Sequence, residues 1–405
     1  MTANSERTGG PAPATSRTQS AYRLLLRTVI AGVILAIIAG GMTGVVAADD
    51  TEDGLQDAID DANEDDTIVV GERTYEENVT ITTDGLTIEA EDDSEPVVEG
   101  GFDVQADGVT IDGIEVEDGV GDDDGITADS ADDLTVENVD ITGVGEDGLT
   151  VDGSSSVTLT DVTAEDVPNH GIQLDNVETV DADDVTVRNA TDADYSYKGI
   201  DISGAGTDPS ATLTDVSVEE IREGTGIGVR TMDTVDLTRP TVTDARLTGI
   251  GVRKSGEVTV TDAEATDVLY GIAVDGNDEF DIDGGTLEDT SQYGIEVEEL
   301  ESGSVTDVDI DDTGDHGLFA ADEDGEASQL DVTDTTVTAP EFTGLDLDDV
   351  DELTVENVDI TGVGEDGLVV DGSSSVTLTD VTAEDALNHG IQLDNVETVD
   401  ADDVT

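Results

Sequence analysis

From residue 125 onward the apolar positions of this chain keep fixed distances from a recurring glycine. A Gly followed by Ile or Leu stands at Gly125, Gly148, Gly171, Gly199, Gly226, Gly249, Gly271, Gly294, Gly317, Gly344, Gly367 and Gly390, with successive spacings of 23, 23, 28, 27, 23, 22, 23, 23, 27, 23 and 23. Counted from that glycine, apolar side chains fall at offsets 1, 3, 9, 11, 14 and 16. In one period these are Ile126, Ala128, Leu134, Val136, Val139 and Ile141; in the next, Leu149, Val151, Val157, Leu159, Val162 and Ala164. Each period therefore holds three short runs of strict alternation, the period of a strand and not of a helix. Between them lie Thr, Asp, Ser, Asn and Gly, the residues of turns.

Runs this short cannot bury an apolar face alone. Paired in parallel with their equivalents one period later, they enclose a continuous Val, Ile and Leu interior. The pattern thus predicts an all-β fold, a parallel β-helix of three-strand coils of about 23 residues. Twelve such coils at about 4.8 Å each rise roughly 55 Å. A string of small domains is excluded, because so short a period holds no core of its own. A β-propeller needs about 40–45 residues per blade.

Upstream of the repeats the pattern changes twice. Residues 1–22 are polar, with Pro11 and Pro13, and read as a disordered cytoplasmic N-terminus. Over residues 23–48, Arg23 and Arg27 precede an apolar run, Thr28 to Ala48, that closes on Val46-Ala47-Ala48, the layout of a signal peptide cut near Ala48. Spanning a bilayer takes about 20 apolar residues, so the run could also cross uncut, with the arginines holding the N-terminus inside. Both alternatives stay open, and both place residues 49–405 outside the cytoplasm, extracellular or at the cell surface. Residues 49–124 hold irregular first coils and a cap: Leu55, Ala58, Ile59 and Ala62 have the spacing of a short amphipathic helix, placed to cover the open edge of the first coil.

Leu55-Gln56-Asp57-Ala58-Ile59, followed by Asp66-Thr67-Ile68-Val69-Val70 and Thr74-Tyr75-Glu76-Glu77-Asn78-Val79, resembles the N-terminal entry of right-handed β-helix proteins of the pectin-lyase-like superfamily. The resemblance runs from about residue 51 to the end and implies a right-handed coil. For activity it implies little, since that superfamily includes polysaccharide lyases, glycoside hydrolases, epimerases, adhesins, tailspikes and copper-maturation proteins.

A longer repeat is laid over the shorter one. Leu134–Thr186 and Leu353–Thr405, 53 positions offset by 219, differ only at Thr150/Val369, Val167/Ala386 and Pro168/Leu387, which points to a recent duplication of nine coils. Solenoids need a polar cap, and Thr405 falls inside a predicted strand, so a chain incomplete at its C-terminus is expected.

Charge narrows the partners. Acidic residues number 102 against 13 basic ones, and the part beyond residue 48 holds 101 against 9. Such a surface suits molar salt, where the Debye length is about 3 Å and carboxylates mainly hold water and cations. In this it resembles secreted proteins of extreme halophilic archaea. Nucleic acid and anionic lipid surfaces are excluded as partners on charge, leaving the membrane only as a site for the N-terminal segment. With no Cys, the fold carries no disulfides. Asn78-Val79-Thr80 and Asn189-Ala190-Thr191 are possible glycosylation acceptors.

Stacking turns each offset into a column. The residue before each marker glycine reads Asp124, Asp147, His170, Lys198, Thr225, Thr248, Tyr270, Tyr293, His316, Thr343, Asp366 and His389, a column that includes all three His of the chain. It is either a groove floor or a turn position tolerant of polar and aromatic types. Past residue 73, every Lys and Arg lies between Arg188 and Lys254. Arg230 and Arg253 each close the phrase Gly-Ile-Gly-Val-Arg in adjacent periods, and the loop after Val187 is lengthened and carries Tyr195, Tyr197 and Lys198. Aromatic faces suit sugar rings, and cations suit uronate carboxylates. One reading is an acidic-polysaccharide site of His170, Arg188, Tyr195, Tyr197, Lys198, Arg222, Arg230 and Arg253; the other is that these cations pair with neighbouring Asp and Glu.

The role expected from these features is binding or cell-envelope structure towards carbohydrate, with polysaccharide or other envelope components as partners. The alternative is a polysaccharide lyase or glycoside hydrolase. A lyase commonly holds Ca²⁺ on grouped carboxylates, for which Asp123, Asp124 and Asp147 are candidates, although an acidic chain offers many such groups by chance. A hydrolase needs two carboxylates flanking the bond, and the sequence singles out no pair.

Overall fold

The computed structural model describes residues 45–48, 54–117, 124–190, 198–322 and 328–405. The polar stretch 1–22 and the leader or anchor up to residue 44 lie outside the described residues. Val45–Ala48, the end of that predicted segment, is a strand paired in parallel with Thr67–Val70. A cut at Ala48 would therefore uncover the Thr67–Val70 edge. Among the described residues no helix is long and apolar enough to cross a membrane.

The described residues from Val45 onward form a solenoid in which like positions of successive coils pair. The first strands of the coils make a 14-stranded parallel sheet, and the second and third strands share one of 25 strands. Ile126 pairs with Leu149, Leu149 with Ile172, Ile172 with Ile200, and the series continues through Ile227, Ile250, Ile272, Ile295, Leu318, Leu345 and Leu368 to Ile391. These side chains point inward: Ile126, Leu149 and Ile172 are fully buried, as are Val139, Val162 and Val185 of the third strands. Each such side chain removed from water contributes about 1.5–3 kcal/mol.

The marker glycine is required by close approach. A Cβ on Gly148 would stand 2.4 Å from the carbonyl oxygen of Gly171, and one on Gly171 would stand 2.2 Å from a methyl of Val187. The glycine column thus lets each coil's backbone sit against the next and against its own third strand.

Two features depart from the sequence pattern. The second and third runs are in several coils one bent strand, as in Leu134–Thr142, Ser156–Glu165 and Thr179–Arg188. The bend falls on Asn138, Asp161 and Asp184, at φ of 52°, 55° and 56°. Asn and Asp tolerate this left-handed conformation, so the chain turns a corner while its ladder continues on both sides. The coils expected to be irregular before residue 124 also keep the common register: Asn78–Ile81 pairs with Gly101–Val104, which pairs with the strand starting at Ile126. They escape the sequence pattern because Phe102 and Val79 stand where later coils have Ile or Leu, and Asn78 stands where they have Gly.

The predicted cap helix, α1, spans Leu55–Asp60, with Leu55 and Ile59 buried against the first coil. Its Gln56 closes the sheet edge as a strand would. The side-chain Nε2 donates to the Thr80 carbonyl at 3.0 Å, and Oε1 accepts from the Thr80 N–H at 2.7 Å. Glu77 Oε1 in turn accepts the Leu55 N–H at 2.6 Å, satisfying a donor of the helix start.

Candidate functional site

The first-strand sheet presents outward columns at offsets 2 and 4, because offsets 1 and 3 from the glycine are buried and strand side chains alternate. The position before the glycine, at the start of each strand, makes a third column beside them, buried at Asp147, His170, Thr248 and Thr343 and half-buried at Tyr270, Tyr293 and His316. Two segments of this face carry chemistry.

In the segment from His170 to Arg253 the cations at the centre of the first-strand face, Lys198 and Arg230, are matched within the chain. Lys198 Nζ lies 2.5 Å from Asp201 Oδ1, and Arg230 reaches the same oxygen through Nη1 at 2.5 Å and Asp175 Oδ1 through Nη2 at 3.0 Å. Asp175 is further held by Ser203 and Gln173, each donating at 2.6 Å. Burial pushes its carboxyl up, but these hydrogen bonds and the Arg230 charge outweigh it and hold the group below its usual range. Burial lowers the Lys198 ammonium, with Asp201 opposing. Gly228 makes the arrangement possible, since a Cβ there would meet Lys198 Cδ at 2.6 Å.

The other predicted site residues are distributed around this segment. Arg188 stands on the third-strand face, in register with Glu219, and pairs with it at 2.9 Å. Arg222 lies in the turn leading to the next first strand, away from these three columns. Tyr195, Tyr197 and Asp123 lie outside the described residues. His170 is buried, its Nδ1 3.0 Å from Asp147 Oδ1, which also accepts the His170 N–H at 2.6 Å. Asp147 N–H donates in turn to Asp124 Oδ1 at 2.9 Å. Asp124, Asp147 and His170 thus form a hydrogen-bonded ladder along their column, and among the described residues no group of three His, Asp or Glu is placed to hold a metal ion. Of the acceptor asparagines, Asn78 is exposed, whereas Asn189 sits in a left-handed turn and donates its amide to Asp166.

The second segment, Tyr270 to Asp348, is built from rings. Tyr270 and Tyr293 have centroids 5.6 Å apart, Tyr293 stacks on His316 at 5.4 Å and on Phe319 at 5.1 Å, and Phe342 meets His316 edge-on at 6.4 Å. Aromatic residues are 2% of the chain, so four of them with a His on one face is a concentration that needs a reason. Phe342 is 43% exposed. Phe319 is flanked in its own column by Glu296 on one rung and Asp346 on the next. Burial pushes Glu296 up to about 7, with Glu298 adding and Arg253 opposing. Burial likewise raises Asp346 and Asp348, His316 offsetting part of the effect at Asp346. His316 Nδ1 accepts the Thr343 N–H at 3.3 Å, so the ring proton sits on Nε2, which faces Asp315 at 3.3 Å and Asp346 at 3.4 Å.

Sequence reading placed Tyr270, Tyr293 and His316 in the pre-glycine column but did not join Phe319, Phe342, Glu296 and Asp346 to them. The available signal was that two of the four Phe of the chain stand within two residues of this column's glycines or offset positions, at Phe319 and Phe342.

Comparison with protein families matches the chain to the right-handed β-helix region over residues 77–214, 198–347 and 299–404. The chain belongs to the right-handed β-helix family. No curated protein sequence matches it. Structures similar to this β-helix include the catalytic domain of a GH87 alpha-1,3-glucanase in complex with tetrasaccharides, at 13% identity over 90% of this chain and 68% of that one, with a TM-score of 0.51. The periplasmic alginate epimerase AlgG aligns at 11% identity over 88% of this chain and 86% of that one, with a TM-score of 0.44. At these identities the likeness is one of fold. In this β-helix, what the face does follows from its own two segments: one neutralises itself, and the other offers rings bordered by half-buried carboxylates.

Proposed function

We propose that this β-helix binds carbohydrate along its first-strand face, with the ligand lying over Tyr270, Tyr293, His316, Phe319 and Phe342. The observation that carries the reading is the run of rings on successive rungs of a sheet whose stacking fixes their spacing. Rings held in this way offer a fixed apolar surface to sugar C–H groups without an ordering cost at binding. The similar glucanase, named in complex with tetrasaccharides, supports the same direction. The basic flank and apolar run of residues 23–48, with the acidic surface beyond them, support export to a salt-rich exterior. Lys198 and Arg230, engaged with Asp201 and Asp175, give uronate binding in the His170–Arg253 segment less support than the rings give to binding here.

The test is calorimetric titration of the full chain in molar salt with a panel of glucan and hexosamine oligosaccharides, beside Tyr293→Ala. Binding that the variant weakens supports the reading; binding to none of them overturns it. A second reading, hydrolysis, is favoured by Glu296 and Asp346. They stand two rungs apart in one outward column, about 9.6 Å by rung spacing, at the upper end of the roughly 6.5–9.5 Å at which inverting hydrolases place their acid and base. Release of reducing ends that is lost in both Glu296→Gln and Asp346→Asn would establish it.

A further inference from the structure

The two segments of the face differ in where their positive charge comes from. Asp175 and Asp201 in the first are met by Arg230 and Lys198. The ring segment has no Lys or Arg of its own, since the chain contains none after Lys254; Arg253, on the rungs before it, acts on Glu296 only from a distance and sits against Asp275. The segment's one internal cationic candidate, His316, turns Nε2 to Asp315 at 3.3 Å and Asp346 at 3.4 Å and forms no ion pair with Glu296. Glu296 forms no ion pair or hydrogen bond with another described residue, although it is half-buried in a column where the ladder sets it between Ala273 on one rung and Phe319 on the next. Most acidic residues of this surface are hydrated and need no partner. A carboxylate drawn out of water beside aromatic rings is a different case, and it gains most from a cation brought to it. Aromatic faces next to carboxylates also favour cations directly.

We propose that the ring-lined segment recognises an amino sugar: a hexosamine polymer with free amines, its ring faces on Tyr293 and Phe319 and its ammonium groups meeting Glu296 and Asp346. This rests on the carbohydrate reading above and narrows it to one class of ligand. A uronate would bring negative charge to Glu296, Asp346 and Asp348. A neutral glucan would cover the same carboxylates and leave them without a partner, at a cost in affinity.

Calorimetric titration distinguishes these cases, with hexamers of glucosamine, N-acetylglucosamine, glucose and galacturonate compared near pH 7, where Glu296 can carry its charge. Molar salt, with its Debye length of about 3 Å, suppresses the diffuse attraction of an anionic chain for any polycation. The glucosamine hexamer is expected to bind at least about tenfold tighter than its N-acetylated counterpart, a preference of about 1.4 kcal/mol. Glu296→Gln should abolish that preference, Tyr293→Ala should weaken both hexosamine hexamers, and Asp181→Asn, on the second-strand face, should change neither. Equal affinity for the free and acetylated hexamers, or tighter binding of glucose or galacturonate, would overturn the amine assignment and leave carbohydrate binding standing. A preference that survives both Glu296→Gln and Asp346→Asn would overturn it as well, showing diffuse charge at work. Failure of all four hexamers to bind would remove this inference and the carbohydrate reading together.

Discussion

The segments His170–Arg253 and Tyr270–Asp348 occupy the same three columns of the same sheet, yet one is electrostatically closed and the other open. In the first, Asp201 is buried to 5% exposure and accepts from both Lys198 and Arg230. In the second, Glu296 and Phe319 take the equivalent column position, and the chain has no Lys or Arg in these coils to pair with the carboxylate. The difference teaches that on a solenoid the backbone supplies only spacing. Whether a face holds itself together or awaits a partner depends on which side chains two or three neighbouring coils place in one column.

The sharpest way to break the comparison is to open the closed segment. Removing Asp201 leaves Lys198 and Arg230 facing each other over Gly228, with a half-buried charge unpaired. Asp201→Ala is expected to cost about 3 kcal/mol, read as a fall in the urea midpoint at constant salt. A loss within error of zero would mean that these pairs are incidental and that both segments are open. Next in size is Tyr293→Ala, which takes away the ring that touches both His316 and Phe319. It should weaken oligosaccharide binding about tenfold with only a small shift in thermal midpoint, whereas an unchanged affinity would move the site off the rings.

Glu296 sharpens the contrast through pH. In the folded chain it holds its proton up to about 7, against 4.5 for the ordinary group. Between these values the folded state binds more protons than the unfolded one, so the contribution of this group to stability falls as pH rises and is least above 7. Glu296→Gln removes the dependence. The variant should exceed the parent by about 1 kcal/mol above neutrality, the shift being discounted for the group's partial exposure, and should lose that advantage on the acid side of the window. Parallel curves of stability against pH for the two chains would show that Glu296 is not desolvated by the rings.

How far the molecule could be read in advance follows from what stacking adds. The apolar offsets and the glycine marker determined the register from Ile126 to Ile391, because a slip of one residue would turn the interior side chains outward. The corner residues Asn138, Asp161 and Asp184 recur at a fixed offset too, but a turn-forming residue does not announce that pairing continues through it. The site was less legible. Arg230 meets Asp175 across 55 residues of sequence, and the ring cluster draws Phe319 from offset 2 and Phe342 from a turn. Such neighbours become visible only when columns are compared side by side, and an acidic chain supplies so many carboxylates that none stands out before burial is known.

The smallest expected effect tests whether identical phrases imply identical roles. Arg230 and Arg253 end the same Gly-Ile-Gly-Val-Arg and pair in register. Arg230 is clamped between Asp201 and Asp175, whereas Arg253 has its nearest carboxylate, Asp275, at 3.7 Å and a side chain 62% exposed. An exposed pair at that distance is worth little, so Arg253→Ala should change stability by less than about 0.5 kcal/mol. Retention on immobilised uronate polymers should also be unchanged, in Arg253→Ala alone and in a double variant with Arg230→Ala that is first shown to be folded. Loss of retention in Arg253→Ala would mean that the more exposed arginine serves a ligand. The basic segment would then be open as well, and the division between the two halves of the face would rest on the rings alone.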